Sequence, residues 1–132
     1  MELYERGGLV IPAGAIIATS INYPQQQVLK DKLVEGYKAD EDKVRFDLIP
    51  PEALFALASV LTFGSIKYED RNWEKGMKWG RPFGALMRHM WAWWRGEQAD
   101  PETGYSHLWH AFCCVAFLIT YEQRKIGTDD RG

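Results

Sequence analysis

Apolar residues recur at helical spacing in three long segments, which polar, glycine-rich or proline-rich stretches separate. The first segment runs from Pro51 to about Tyr68, the second from Phe83 to Gly96, and the third from His107 to about Lys125. Apolar side chains three or four positions apart lie on one face of a helix, so each segment is predicted to be a helix with a buried face. The pattern predicts a mainly α-helical bundle.

Local signals mark where these helices begin and end. Pro51 suits the first helical turn, and Glu52 suits the positive end of the helix dipole. Asp100 precedes a proline, which stops the second helix, and Ser106 is placed to cap the third. Gly127 is placed to end that third helix.

Residues 1–40 do not follow this pattern. Two β-favouring pieces, residues 9–11 and 16–18, lie between turn-forming glycines and prolines, and residues 25–36 can form a short amphipathic helix. The pieces predict a short irregular or β-hairpin extension, which can serve as an arm on a partner subunit. We therefore divide the chain into an N-terminal extension, residues 1–40, and a helical domain, residues 41–132.

Composition narrows the class of protein. With 132 residues and a net charge of −2, the chain fits a small globular protein without a basic nucleic-acid surface. The adjacent Cys113 and Cys114 are expected to be small buried hydrophobes in a reducing compartment. The sequence has neither a signal-peptide pattern nor an apolar run long enough to cross a bilayer, so we expect a cytoplasmic protein. The second helix is apolar on nearly all sides, which predicts a homodimer or homotetramer.

The candidate chemistry lies in one short window. All three histidines and three carboxylates occur in it: His89, Glu97, Asp100, Glu102, His107 and His110. The chain reverses after Asp100, and the last two histidines share a helix face, so these side chains are expected to converge. Imidazoles and carboxylates bind divalent metals and transfer protons. The alternative is structural, because helix N-terminal turns favour acidic residues and a histidine there can simply hydrogen-bond a carboxylate.

Two neighbouring segments add groups that suit a nucleotide. Lys67-Tyr68 and Asn72-Trp73 combine a cation that attracts phosphate, an amide, and two aromatic faces that stack on a base. The alternative is a solvated loop in which Trp73 folds back on the core.

Linked motifs follow one another between residues 43 and 119. They are Lys43-x-Arg45-x-Asp47-Leu48-Ile49-Pro50-Pro51, Gly64-x-x-Lys67-Tyr68, Asn72-Trp73, Arg88-His89, Gly96-Glu97-x-x-Asp100-x-Glu102-x-Gly104 and His107-x-x-His110-Ala111. Together they resemble a phage-encoded family of dATP/dGTP diphosphohydrolases, similar in general plan to the MazG-like all-α nucleoside triphosphate pyrophosphatases. The resemblance implies Mg²⁺- or Mn²⁺-dependent hydrolysis of a purine (deoxy)nucleoside triphosphate to its monophosphate and pyrophosphate. In a phage, this activity would control the nucleotide pool or feed modified-purine synthesis in the host cytoplasm.

The resemblance also implies a set of roles. Catalysis is assigned to Glu97, Asp100 and His107; metal binding to Glu52, Glu97, Asp100, Glu102 and His110; and nucleotide binding to Lys67, Tyr68, Asn72, Trp73, Arg88 and His89. MazG-like proteins hold metal with Glu-x-x-Glu and Glu-x-x-Asp, whereas this chain has Glu97-x-x-Asp100 and His107-x-x-His110. The softer histidine ligands leave Co²⁺ and Zn²⁺ open beside Mg²⁺ and Mn²⁺.

Two other functions remain open from the sequence. The first is a transition-metal phosphohydrolase that acts on a different nucleotide and releases inorganic phosphate. The second is a non-catalytic nucleotide-binding or oligomeric module whose tryptophan-rich helix is its interface.

Overall fold

A computed structural model describes residues 3–6, 9–12 and 35–132. The chain divides into two compact units that meet in sequence between Leu48 and Ile49. The predicted boundary between extension and helical domain, at residue 40, stays a prediction.

The first unit contains a two-stranded antiparallel sheet. Strand β1, Leu3–Arg6, pairs with strand β2, Leu9–Pro12, and Tyr4 lies opposite Ile11. Strand β2 contains the first of the two predicted β-favouring pieces. The second piece lies outside the described residues, as does the predicted helix over residues 25–36 apart from its last two positions.

The second unit contains three long helices. They are α1, Pro51–Lys67; α2, Gly80–Trp94; and α3, His107–Arg124, with a short 3-10 helix over Asn72–Lys75 between α1 and α2. Helix α3 is central, because it packs most extensively against α2 and also contacts α1 and the 3-10 helix. The mainly α-helical prediction is confirmed. Among the described residues, no helix is long and apolar enough to cross a membrane.

The core is built around the buried face of α3. Tyr121 is fully buried, and its hydroxyl donates to the backbone oxygen of Trp73 at 2.6 Å. The Trp73 ring stacks on Phe117, with ring centres 4.3 Å apart. The structural alternative for Trp73, that it folds back on the core, therefore describes its packing correctly. Burial raises the pKa of Cys113 to about 12 and that of Cys114 to about 11, so both are neutral thiols, as expected of small buried hydrophobes.

Helices α1 and α3 begin at their local signals, whereas α2 ends at Trp94, six residues before the Asp100-Pro101 pair that is predicted to stop it. Pro51 opens α1, Glu52 lies in its first turn, and the Ser106 hydroxyl accepts from the backbone N–H of Leu108 at the start of α3. The predicted start of α2 at Phe83 is wrong, because the helix already begins at Gly80. Asp130 explains the difference, since its carboxylate accepts the Gly80 N–H at 2.8 Å from the far end of the chain.

The predicted role of Gly127 is also wrong. Helix α3 ends at Arg124, and Lys125 takes the left-handed conformation with φ 56°. Gly127 instead allows two backbones to approach, since a Cβ there would lie 2.3 Å from the carbonyl oxygen of Met77. This close approach joins the C-terminal segment to the start of α2, where Lys78 bridges to Thr128.

Candidate functional site

The junction of α2 and α3 brings the three histidines together. His89 projects from the last half of α2, and its Nδ1 lies 2.9 Å from Nδ1 of His107 in the first turn of α3. The rings of His89 and His110 stack with centres 4.7 Å apart and an angle of 11°. The expected convergence of the histidines is thus present in the structure.

A closed loop between the two helices holds the carboxylate of Asp100. The Asp100 N–H donates to Tyr105, and its carbonyl oxygen accepts from Gly104, both at 2.8 Å. Gly104 has φ +75°, a left-handed conformation that a side chain would strain. The Asp100 Oδ2 atom accepts hydrogen bonds from the backbone N–H groups of Glu102 and Thr103, each at 3.1 Å, and from the Thr103 hydroxyl at 3.2 Å. The carboxylate therefore has little freedom to rotate.

These contacts keep Asp100 ionised. Burial alone would raise the pKa of the Asp100 carboxyl, but the Thr103 hydrogen bonds and the charges of His110 and His89 together outweigh it and lower the pKa below its usual value. The site thus contains a fixed negative charge beside the three imidazoles.

The Thr103 hydroxyl also determines the protonation of His110. It donates its one hydrogen to Asp100, so at the 2.7 Å contact with His110 Nε2 it must accept. His110 therefore carries a hydrogen on Nε2, and its Nδ1 has a free lone pair in the neutral ring. Burial, together with the smaller effect of the His107 charge, lowers the pKa of His110 despite the opposing charges of Asp100 and Glu102, so the ring is neutral at neutral pH.

Among the described residues, His107 is the histidine that is buried, with 4% of its surface exposed. Within the described residues its buried Nε2 atom has no hydrogen-bond partner, and Glu97 Oε1 lies 3.5 Å from it. Leaving a buried polar atom unpaired costs about 1–3 kcal/mol, so such an atom calls for a functional explanation.

Three of these side chains have the arrangement of a metal site. His89, Asp100 and His107 each offer one ligand atom, and the three atoms lie within 4.8 Å of one another. Two imidazoles and one carboxylate suit first-row transition metals such as Mn²⁺, Co²⁺ and Zn²⁺. The residues present therefore fit a divalent metal, and the two histidines of this trio were assigned other roles from the sequence.

The other predicted metal ligands lie around this trio or away from it. Glu102 forms an ion pair with Lys67 of α1. Glu97 Oε1 lies 3.5 Å from His107 Nε2, and His110 Nε2 lies 3.8 Å from the Asp100 carboxylate. Glu52 is exposed in the first turn of α1 and lines neither of the two cavities described below.

A large cavity opens beside the trio, between the three helices and the 3-10 helix. Its volume is about 990 Å³, the upper part of the range for small-molecule sites. Its lining includes most of the predicted site residues: Lys67, Tyr68, Asn72, Trp73, Arg88, His89, Asp100, Glu102 and His110. A smaller cavity of about 630 Å³ shares Arg88, His89 and Asp100 with it and reaches His107. The structure thus joins the predicted nucleotide-binding residues to the metal trio.

Two arginines of α2 give the large cavity positive charge. Arg81 and Arg88 are seven residues apart, so they share a helix face about 10.5 Å apart along its axis. Neither forms an ion pair within the part of the chain that the structure describes. Gly84 lies between them and leaves room for Arg88, since a Cβ there would lie 3.3 Å from its Nη1 atom. Sequence reasoning missed Arg81, although its spacing from Arg88 could have revealed it.

Comparison with known proteins now identifies the family. Residues 34–131 match the family described as dATP/dGTP diphosphohydrolase, N-terminal.

The chain belongs to this family.

A dATP/dGTP diphosphohydrolase of Salmonella phage PMBT28 is 33% identical to it over 96 residues, which cover 73% of this chain and 33% of the relative. The chain therefore spans about a third of the length of that curated relative. No solved structure matches the chain. The predicted phage family is confirmed, and the relation to MazG-like enzymes stays a prediction.

Proposed function

We propose that this protein hydrolyses dATP and dGTP to the monophosphate and pyrophosphate with the help of a divalent metal. One observation carries the proposal: a single cavity is lined by two metal-ligand candidates, His89 and Asp100, and by the guanidinium groups of Arg81 and Arg88, which form no ion pair within the described residues. A metal donor set next to fixed positive charge is what a nucleoside triphosphate requires. Membership of the family supports the substrate class. Control of a phage nucleotide pool, or supply of a modified purine, in the host cytoplasm belongs to the same proposal.

His89, Asp100 and His107 would hold the metal. A bound divalent cation would neutralise phosphate oxygens and make the phosphorus more electrophilic. Two imidazole donors favour Mn²⁺, Co²⁺ or Zn²⁺ over Mg²⁺, which prefers oxygen ligands and keeps several waters. Mg²⁺ remains a candidate where substrate phosphates supply much of its coordination.

Arg88 and Arg81 would bind the phosphate chain. Arg88 lines both cavities and neighbours His89 in the sequence, so it would contact the phosphate that reacts. Arg81 lies two helical turns earlier and would contact the far end of the chain or the sugar. Lys67 would join them when phosphate competes with Glu102 for its ammonium group. Planar guanidinium groups hold phosphate in two-pronged contacts, which orient as well as attract.

His110 would accept the proton of the attacking water. It lines the large cavity, and its neutral ring has a free lone pair on Nδ1, because Nε2–H donates to Thr103. The water oxygen forms a bond to the α-phosphorus as the bond from that phosphorus to the bridging oxygen breaks. Pyrophosphate then leaves, and the proton passes to His110. Fixed charge and positioning would supply most of the rate enhancement.

Apolar stripes on α2 and α3 support a homodimer or homotetramer. Both stripes have exposed side chains at positions i, i+4, i+7 or i+8, and i+11: Phe83, Met87, Trp91 and Trp94 on α2, and Leu108, Phe112, Val115 and Ile119 on α3. Trp94 alone exposes 73% of its surface. Exposed apolar stripes of this length favour association with another subunit. The proposal includes no nucleic-acid partner.

One observation favours a second candidate function. Two imidazoles with one carboxylate form a transition-metal donor set, which also suits a phosphohydrolase that releases inorganic phosphate from another nucleotide.

A substrate and metal panel tests both candidates. The chain is incubated with each canonical dNTP and NTP in the presence of Mg²⁺, Mn²⁺, Co²⁺ or Zn²⁺, and the products are separated by chromatography. We expect dAMP and dGMP with pyrophosphate. Inorganic phosphate as the first product would support the second candidate. Tight binding of dGTP without turnover in any metal would support a non-catalytic module and overturn both.

A further inference from the structure

We propose that Glu97 is a positioning residue that fixes the tautomer of His107. In this arrangement His107 carries its hydrogen on Nε2, towards Glu97, and its Nδ1 lone pair faces His89. The sequence-based roles of Glu97 as metal ligand and catalytic residue are thereby replaced with a role that acts through His107. The link to metal binding rests on the proposed function, but the tautomer itself does not.

The backbone at the end of α2 places Glu97 firmly. The N–H of Gly96 donates to the carbonyl of Trp93, and the N–H of Glu97 donates to the carbonyl of Ala92, both at 3.0 Å. These two bonds, with Gly96 at φ +94°, form a Schellman motif. Because both bonds tie the chain to the last turn of α2, the Cα of Glu97 is held relative to that helix. The Gly96-Glu97 pair therefore aims a carboxylate at the start of α3.

The geometry around His107 leaves two possible neutral tautomers. Its Nδ1 lies 2.9 Å from Nδ1 of His89, and only one hydrogen can lie between the two atoms. If His107 supplied that hydrogen, its Nε2 lone pair would face the Glu97 carboxylate at 3.5 Å, and two acceptors would repel. If His89 supplies it, the Nε2–H of His107 points towards a negative charge. The second arrangement is therefore favoured, and it also explains the buried Nε2 atom that lacks a hydrogen-bond partner.

The same geometry argues against Glu97 as a ligand of an ion shared with Nδ1. Nδ1 and Nε2 lie on different edges of the imidazole ring, and Glu97 approaches the Nε2 edge. The carboxylate is also absent from the group of ligand atoms that lie within 4.8 Å of one another. Carboxylates that accept the second N–H of a metal-binding histidine are a general feature of metal sites, and removing one weakens metal affinity about 10- to 100-fold.

The experiment measures the tautomer and the metal affinity separately. The ¹⁵N shifts of the His107 ring are recorded by NMR on the full chain without metal or nucleotide, and Mn²⁺ alone is titrated by calorimetry. Three variants are compared with wild type: Glu97→Gln, Glu97→Ala and Glu97→Asp. Gln98→Ala is the control, because Gln98 is the exposed neighbour of Glu97 and lines neither cavity.

We expect His107 to be the Nε2–H tautomer in wild type and in Glu97→Gln, since the amide oxygen also accepts a hydrogen bond. Glu97→Ala should mix the tautomers and weaken Mn²⁺ binding about 10- to 100-fold. Glu97→Asp keeps the negative charge, but its shorter side chain moves the carboxylate away from His107. This variant should therefore resemble the alanine variant. The control should behave as wild type.

Two results would overturn the proposal. An unchanged tautomer in Glu97→Ala would show that Glu97 does not fix the ring. Loss of Mn²⁺ binding in Glu97→Gln as severe as in Glu97→Ala, with the tautomer kept, would instead make Glu97 a direct ligand. Failure of the proposed function gives a different pattern, because the tautomer then still depends on Glu97 while no nucleotide is hydrolysed.

Discussion

The Nδ1 atoms of His89 and His107 face each other at 2.9 Å across the junction of α2 and α3. Two ring nitrogens so close must share either a hydrogen or a cation. In the metal-free chain they share a hydrogen, and under the proposed function a divalent cation would replace it and bind Asp100 as well.

His89→Ala should therefore abolish metal binding and metal-dependent turnover. The variant removes one of only two imidazoles in the trio, and we expect a loss of at least about 100-fold in Mn²⁺ affinity, at the upper end of what perturbing a metal site costs. Calorimetry with Mn²⁺ alone and the turnover number with dGTP check this. Glu122→Gln, on the exposed side of α3, is the control. Wild-type Mn²⁺ affinity in His89→Ala would mean that the metal binds elsewhere.

Arg81→Gln and Arg88→Gln should raise the KM for dGTP. Hydrogen bonds between charged partners contribute about 1.5–3 kcal/mol each, which corresponds to about a 10-fold or greater loss of binding. Stability should change little, because both side chains are exposed. Steady-state kinetics measure the effect. Lys78→Gln is the control, since Lys78 is an exposed cation just before the same helix and lines neither cavity. An unchanged KM in both variants would exclude the arginine face as the phosphate site.

Thr103→Val should weaken both the fold and turnover. Valine has nearly the shape of threonine but removes the hydroxyl that links Asp100 to His110. We expect a loss of about 1–3 kcal/mol in the free energy of unfolding, because the Asp100 carboxylate loses a donor and the N–H groups of His110 and Tyr105 lose an acceptor. Urea denaturation measures the change, and Thr103→Ser should restore most of it. Equal stability of the valine and serine variants would contradict this network.

The metal-free protein should lose stability as the pH falls below about 6.5. Burial, with the neighbouring histidine charges, lowers the pKa of His89 and of His110 below their usual values. The unfolded chain, in which a histidine has a pKa of about 6.5, then binds more protons than the folded chain, so stability rises with pH. This contribution is complete above the unfolded pKa and is lost as the pH falls through the lowered folded values. Urea denaturation in EDTA between pH 7.5 and 5.5 checks the trend, and a flat profile would contradict it.

Trp94→Glu should break the expected oligomer without unfolding the chain. The side chain is mostly exposed on the apolar stripe of α2, so a charge there costs little in the monomer but is costly within an interface. Size-exclusion chromatography with light scattering compares the variant with wild type. A wild-type protein that is already monomeric would contradict the proposed association.

Helix content could be predicted from the sequence because it depends on local spacing. The helices over residues 51–67 and 107–124 follow directly from apolar periodicity and from caps such as Ser106. The early start of α2 could not be predicted, because it depends on Asp130, fifty residues further along the chain. Gly127 was misassigned for the same reason, since it contacts Met77 across the fold.

The location of the candidate site could be predicted from the sequence, but the contacts between its side chains could not. Six residues within one window were expected to lie close together, because the chain reverses direction after Asp100. Which ring edge of His107 faces His89 depends on how α2 and α3 cross, and no sequence pattern encodes that. Glu97 and Asp100 look equivalent in the sequence, yet the Schellman turn directs one to Nε2 of His107 and the closed loop holds the other beside the histidines.

The loop that joins α2 to α3 has one further consequence. All three metal-ligand candidates lie between residues 89 and 107, on a single helix–loop–helix segment. A bound ion would therefore hold the two helices of that segment together. At a concentration 100 times its dissociation constant, the ion would add about 2.7 kcal/mol to the stability of any state that binds it. Opening of this hairpin would then cost more free energy than it does without the ion, while opening of the start of α1 would cost the same as before. Metal supply in the cell would thus set how often the hairpin opens as well as the state of the site.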